Sequence, residues 1–230
     1  MEQRVLAIGD IHGCYDVLRA LIDYVQPSDQ DILVTLGDYV DRGPSSMAVI
    51  DWLIQAHSNM NIVSLRGNHE IMFCDARLSP EYLESFCRYG GQSTLDSYSP
   101  FEGTPGRIED VPEEHWQFIE QRLQPYYETE SHIFVHANLY PDLPLEDQPD
   151  YMIYWEKFTD PPPHFSGKTM ICGHTSQKSG LPLKKDRAIC IDTWAYGEGW
   201  LSCLDARSQF VWQANRAGET RKFFLDDGSP

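Results

Sequence analysis

"ILVTLGDYVDRG", residues 32–43, joins a short apolar run to a turn holding two aspartates, an arginine and two glycines. A continuous apolar run of this length suits a strand covered on both faces, because neither side has to meet water. The turn has two readings. Aspartate and glycine are ordinary turn residues, yet an aspartate can also hold a metal and an arginine an anion. The same pairing recurs along the chain. "VLAI" (5–8) precedes "GDIHG", "NIVSL" (61–65) precedes "RGNHE", and "HIFV" (132–135) precedes "HANL". "TMIC" (169–172) precedes "GHT", and "AICI" (188–191) precedes "DTW".

Between these runs lie helical patterns. In "YDVLRALIDYV" (15–25), Leu18, Leu21, Ile22 and Val25 form one apolar stripe at i, i+3, i+4, i+7. "PSSMAVIDWLIQAH" (44–57) opens on Pro44, favoured at a first helical position. "PEEHWQFIEQRL" (112–123) follows Pro112 with Glu113 and Glu114, the charge a helix start prefers. Strand and helix in alternation predict an α/β domain. The expected organisation is a single domain over residues 1–230. A helical excursion is expected at about 71–130, where clear strand patterns are lacking, and "DPPPHF" (160–165) reads as a loop.

With 230 residues, 41% of them hydrophobic, the chain can build one full core. Its six cysteines (Cys14, Cys74, Cys87, Cys172, Cys190 and Cys203) show neither a CxxC pair nor dense spacing. They are expected to be reduced, mostly buried thiols. No run approaches the roughly 20 apolar residues of a membrane span, and "MEQRVLAIGD" is too short in apolar residues for a signal peptide. A cytoplasmic location is therefore expected. The net charge of −17 repels nucleic acid and anionic membranes, so neither is an expected partner. Clustered carboxylates do suit divalent cations.

The turns after the strands carry Asp10 and His12; Asp38, Asp41 and Arg42; Asn68 and His69; His136; and His174. Strand ends of this kind converge on one edge of an open α/β sheet, where ligands bind. Any one of these histidines alone would read as a hydrogen-bonded structural residue. Five turns together, all with oxygen and nitrogen ligand atoms, point to a transition-metal site. Structural zinc is excluded, since its ligands come in closely spaced pairs, usually with thiolates.

"GDIHG", "GDYVDRG", "GNHE", "VHA" and "GHT", in that order, resemble the calcineurin-like metallophosphoesterases of the serine/threonine protein phosphatase type. The resemblance extends to the small bacterial protein phosphatases and the symmetrical dinucleoside tetraphosphatases. The matches run from Gly9 to about Thr175. "YGGQSTLDSY" (89–98) is similar to a stretch of bacterial members, and "CIDTWAYGEGWLSCLD" (190–205) to the family's closing hairpin. The resemblance implies a four-layer fold, a central β-sandwich of mixed sheets flanked by helices. It assigns one metal to Asp10, His12 and Asp38, and a second to Asp38, Asn68, His136 and His174, so that Asp38 bridges. The cofactors implied are two divalent ions, Mn²⁺ in bacterial relatives, with Fe, Zn or Co also suited to such ligands. A hydroxide between the ions would attack phosphorus directly. Arg42 and Asn68 would hold the phosphate, and His69, oriented by Asp41, would protonate the leaving oxygen.

Two positions depart from the family. Lys157 in "MIYWEKF" (152–158) stands where an arginine usually contacts phosphate, and reads equally as a surface lysine. Asn138 replaces the usual glycine after "HA", a residue that tolerates left-handed backbone angles. Trp155, Trp194, Tyr196 and Trp200 read as core or as a flat wall at the mouth of the site. "FSGKTM" (165–170) fails as a P-loop because Pro162 occupies the required glycine position, and no G-x-S-x-G occurs. The expected function is a dinuclear-metal phosphomonoesterase acting on phosphoserine, phosphothreonine and also phosphotyrosine in proteins. Few lysines and a net negative charge favour a phosphoprotein or small phosphoester over the alternative, a symmetrical dinucleoside tetraphosphate. A phosphate- or metal-binding protein without catalysis is the alternative of a different class. It has no use for Asp41 and His69. Nothing in the pattern bears on oligomeric state.

Overall fold

The computed structural model describes residues 3–101 and 103–225; the outer ends of the expected 1–230 span lie outside them. Each apolar run forms a strand: β1 (Val5–Ile8), β2 (Ile32–Thr35), β3 (Ile62–Ser64), β5 (His132–Val135), β6 (Thr169–Cys172) and β8 (Ala188–Cys190). Four shorter or more polar stretches add β4 (Tyr126–Glu128), β7 (Leu183–Lys185), β10 (Phe210–Ala214) and β11 (Thr220–Phe224), and Leu201–Asp205 forms β9.

Among the described residues two mixed sheets result, in the orders β11-β10-β9-β1-β2-β3 and β4-β5-β6-β8-β7. The pairs β1–β2, β2–β3, β5–β6 and β6–β8 are parallel, and the others are antiparallel. The continuous apolar runs are explained by period-two alternation between two apolar layers. Ala7, Val34, Phe134, Ile171 and Ile189 pack together between the sheets. Their neighbours Leu6, Ile8 and Leu33 face helices on one side, and Ile133, Val135, Met170 and Cys172 face the other.

The helices are α1 (Tyr15–Val25), α2 (Ser46–Asn59), α3 (Asn68–Asp75), α4 (Pro80–Phe86), α5 (Gln92–Ser97), α6 (Glu113–Gln121) and α7 (Asp150–Tyr154). Helix α1 buries Leu18, Leu21 and Val25, and ends where Gln26 turns left-handed before Pro27. A π-helical link, Cys87–Gly91, joins α4 to α5 through Gly90 at φ 107°. No helix among the described residues is long and apolar enough to cross a membrane. All six cysteines are free thiols, four of them buried.

Three expectations are corrected. Pro44 does not open α2, which begins at Ser46 with Ser45 as its cap; Ser45 instead donates its N–H to Gly13 O, tying this stretch to the first loop. The segment 71–130 is mostly helical, but it does contain β4, which pairs antiparallel with β5. Residues 190–205 are not a hairpin. Strands β8 and β9 belong to different sheets, and the turn between them crosses the top of the sandwich.

At the far end from that turn, the buried Asp31 accepts a forked pair of bonds from Arg4 Nε (2.9 Å) and Nη2 (2.5 Å). It also accepts Ser28 N–H at 2.6 Å, so it fastens the entries of β1 and β2 together. These donors, the Arg4 bonds foremost, hold the carboxyl below its ordinary range. A depressed pKa stabilises the fold above the unfolded value of ~3.9, and the contribution is lost as pH falls below it. Asp31→Asn should therefore cost about 1–2 kcal/mol in urea unfolding at neutral pH. The difference should shrink at about pH 3. An equal cost at both pH values would refute the assignment.

Candidate metal centre

The sheet order brings the C-terminal ends of β1, β2, β3, β5 and β6 to one edge of the sandwich, and the side chains singled out in the sequence meet there. Asp10, His12, Asp38, Asp41, Asn68, His69 and His136 are all buried. Several occupy left-handed backbone positions: His12 (φ 45°), Asp38 (52°), Asp41 (73°), Arg42 (70°) and His174 (64°). Non-glycine residues persist in this region only where the surroundings over-determine them, as they do at functional sites.

Two groups of ligand atoms share Asp38: His12, Asp38 and His69, and Asp38, His136 and His174, each with its atoms within 4.8 Å of one another. Asp38 Oδ2 lies 3.5 Å from His12 Nε2, and Oδ1 lies 3.4 Å from His136 Nε2. Backbone carbonyls set the tautomers. His12 Nδ1 donates to Val40 O (2.8 Å) and His136 Nδ1 to Leu36 O (2.7 Å), leaving each Nε2 lone pair turned inward. His174 is reversed: Nε2 donates to Trp155 O (3.1 Å), and Nδ1 faces Asn68 Oδ1 at 2.9 Å. Asn68 Oδ1 is also 3.0 Å from His136 Nε2. Burial pushes His12 well down and His174 down to about 4, which keeps both rings neutral. Asp10 stands beside these groups, its two oxygens accepting the His174 N–H at 3.1 and 2.9 Å. Burial, then the charges of Asp192 and Asp38, push its carboxyl well up. Neutral inward-facing imidazoles, an amide oxygen and mutually repelling buried carboxylates fit divalent cations of mixed oxygen and nitrogen ligation.

Glycines make room for this packing. A Cβ on Gly173 would lie 2.0 Å from Asp10 Oδ1, and one on Gly67 would lie 2.2 Å from Asp38 Oδ1. Gly173→Ala is expected to displace Asp10 and, with it, the backbone of His174. A cost of about 1–3 kcal/mol should appear in thermal melts. Mn²⁺ affinity should drop by about tenfold or more, the scale seen when partners of a metal ligand are disturbed. Wild-type affinity by calorimetry would overturn the crowding account.

Arg42 lies across the centre. Its guanidinium donates to His12 Nε2 (3.0 Å) and His69 Nε2 (3.1 Å), and rests on the face of Tyr196 at 4.5 Å. His69 Nδ1 donates to Asp41 Oδ2 at 2.5 Å. Although burial pulls the His69 pKa down, Asp38 and Asp41 outweigh it and the net direction is upward.

Several neighbours had no role readable in the sequence. Glu70, the last residue of "GNHE", accepts backbone N–H groups from Asp38 (2.9 Å), Tyr39 (2.8 Å), Val40 (3.2 Å) and Gly67 (2.9 Å). It thereby locks the turn after β2 onto the start of α3. Burial pushes it up to about 7. Thr94 bonds Asp41, and Asp192 accepts Ser176 Oγ at 2.6 Å. Motif membership is the sequence signal they carry: Glu70 ends "GNHE", Thr94 lies in "STLDSY" and Asp192 in "CIDTW".

The two departures resolve differently. Asn138 is not among the left-handed positions. Its amide is occupied by backbone, donating to Lys157 O (3.2 Å) and accepting from Leu139 N (2.8 Å), so it pins the 155–157 stretch. Lys157 is exposed. Trp155 instead lines a cavity of about 410 Å³ with Met72, Tyr82, Phe86 and Tyr89, which opens beside Arg42, Asn68 and His69. Trp194 packs edge-on to Tyr196, and Trp200 lies under Arg221.

The family model for calcineurin-like phosphoesterases matches residues 3–178. Serine/threonine-protein phosphatase 1 of Salmonella typhimurium is 39% identical over 80 residues, 34% of this chain and 35% of that protein. A symmetrical bis(5'-nucleosyl)-tetraphosphatase of Cellvibrio japonicus is 31% identical over 137 residues, 59% of this chain and 45% of that protein. The chain thus spans less than half the length of these curated relatives. A solved structure of a candidate diadenosine tetraphosphatase shares the fold with a TM-score of 0.64 at 22% identity, over 96% of this chain and 92% of that one.

Proposed function

The chain belongs to the calcineurin-like phosphoesterase family, a family of metal-binding hydrolases of phosphoester bonds, and from that premise we propose that it is a dinuclear-metal phosphomonoesterase acting on phosphoproteins. One observation carries this reading: Asp38 turns its two oxygens to two separate histidine groups, beside an arginine fork and a buried His–Asp pair. Asp10, His12 and Asp38 would hold one cation, and Asp38, Asn68, His136 and His174 the other. When bound, divalent ions polarise a phosphoryl oxygen and lower the pKa of water from ~15.7 toward ~7.

The chain's own residues do the rest. Arg42 presents a planar fork that matches two phosphate oxygens, and the Tyr196 face holds it in place. Asn68 lines the aromatic cavity together with Arg42, and its amide would touch the phosphate. His69 keeps Nδ1 on Asp41. Once Arg42 leaves the Nε2 atoms of His12 and His69 for the phosphate, His69 Nε2 would be free to carry the proton that passes to the leaving oxygen. The aromatic cavity lies on the His69 side, so it would receive the departing group.

That cavity bears on the substrate. Its lining offers Arg42 as cation and Asp75 as carboxylate, a poor match for the several charges of a tetraphosphate chain, and a better one for a single phosphate on a bulky residue. Trp155, Tyr82 and Tyr89, all exposed, favour the alternative substrate, a symmetrical dinucleoside tetraphosphate, since aromatic walls stack a nucleobase. Turnover of phosphoserine and phosphotyrosine peptides against a symmetrical dinucleoside tetraphosphate, at equal concentration with added Mn²⁺, separates the two. Faster peptide turnover is expected. Preference for the tetraphosphate would overturn the phosphoprotein reading, and turnover indifferent to chelation would overturn the dinuclear one.

A further inference from the structure

Asp41 and Arg42 are consecutive left-handed residues, at φ 73° and 70°. Two such non-glycine residues in a row are held only if their neighbours impose the shape. The segment Gly90–Thr94 does so. Gly90 O accepts Arg42 N–H at 3.2 Å, and Thr94 clasps Asp41 at two points. Thr94 Oγ1 accepts the Asp41 backbone N–H (2.7 Å) and donates to Asp41 Oδ1 (2.7 Å).

A threonine hydroxyl has one proton and two lone pairs. With the proton on Asp41, the Ser46 Oγ contact at 3.1 Å must run from Ser46 to Thr94, so every bonding capacity of Thr94 is used. The second Asp41 oxygen meets His69 Nδ1. A directed chain results, from Ser46 to Thr94 to Asp41, with His69 on the far oxygen. Ser46, Thr94 and Asp41 are each 0% exposed, which leaves no room for water to replace a lost hydroxyl.

We propose that Thr94 is a positioning residue for the leaving-group acid: its hydroxyl holds Asp41, and through it the His69 ring, in the orientation that delivers a proton to the departing oxygen. This rests on the reading of His69 as that acid. A threonine that merely filled space would be replaced without loss by valine, which has the same shape. One that aims an acid matters most when the leaving group is poor and needs its proton.

The test uses the Mn²⁺-loaded protein and a series of substituted phenyl phosphates, from good to poor leaving groups. Thr94→Val should lose about tenfold or more in kcat on the poorest ester relative to the best, part of the ~10²–10⁴ that a positioned acid supplies. Thr94→Ser should restore the wild-type ratio. Thr94→Ala reads the same ratio if valine prevents folding. By proton NMR of the protein loaded with diamagnetic Zn²⁺ in place of Mn²⁺, the His69 Nδ1 resonance, identified by its loss in His69→Asn, should shift or broaden in Thr94→Val. Equal loss across the ester series, or an unmoved resonance, would overturn the inference and leave His69 as the acid. If His69→Asn itself shows no steeper dependence on the leaving group, both fall together.

Discussion

Replacing Asp38 with asparagine is expected to lower metal-dependent kcat/KM by ~10³ or more, the scale of about 4 kcal/mol of lost transition-state stabilisation. Asp38 belongs to both groups of ligand atoms, with Oδ2 toward His12 and Oδ1 toward His136. Two divalent ions roughly 3.5–4 Å apart repel strongly and need an anion between them. Asparagine removes that charge and, with its oxygen kept on the His136 side, turns an N–H donor toward the His12 lone pair, so one ion loses its ligand and the other keeps only a neutral amide oxygen. Metal analysis should find two ions per chain in the wild type and one or fewer in the purified variant. The backbone N–H of His69 donates to Asp38 Oδ1 (3.1 Å), a bond an asparagine oxygen in the same place can still accept, so the fold should survive by circular dichroism. A folded variant with both ions and full activity would remove the basis of the dinuclear reading.

His69→Asn is expected to reduce kcat by roughly 10²–10⁴ on phosphoserine peptides, where the leaving alkoxide must be protonated. On 4-nitrophenyl phosphate, whose leaving group departs without help, the loss should be far smaller. Metal content should be kept if, as proposed, Asp10, His12 and Asp38 hold one ion and Asp38, Asn68, His136 and His174 the other. His69 Nε2 does lie in the group with His12 and Asp38, so loss of an ion in this variant would make His69 a ligand instead. Asp41→Asn should follow the same pattern for a different reason. The Asp41 carboxylate accepts from His69 and Thr94, and an amide in its place cannot accept both. The loss would come from a ring turned or wrongly protonated. Equal losses on both esters would show that His69 acts on metal binding or folding instead.

Much of this is legible in the sequence. The apolar runs at 5–8, 32–35 and 169–172 had to be strands covered on both faces, and their alternation between two apolar layers explains why they carry no polar face. The site residues were visible because they sit in the first turn after each strand, a local relation that sequence preserves. Lys157 and Asn138 show the opposite case. Their positions were readable, but what they touch depended on the packing of the 155–157 stretch, where Asn138 spends its amide on backbone and Trp155 takes the place at the cavity. Strand β4 lacks an apolar run because it is only three residues long, Tyr126–Glu128, and its pairing with β5 is what defines it.

The amino-acid sequence by itself determined the sheet-forming runs and the identity of the candidate ligand atoms at their ends, because strand propensity and turn chemistry act within a few residues. Only the tertiary structure decided how those atoms face. The inward nitrogen of each histidine is set by the carbonyls of Val40, Leu36 and Trp155, which lie 28, 100 and 19 residues away. The turn at Asp41 and Arg42 is held from Gly90 and Thr94, about fifty residues on. The crossing of residues 190–205 from one sheet to the other follows the same rule. A ring has two nitrogens and a turn several shapes, and the choice among them is made by whichever distant group the folded chain brings within hydrogen-bonding reach.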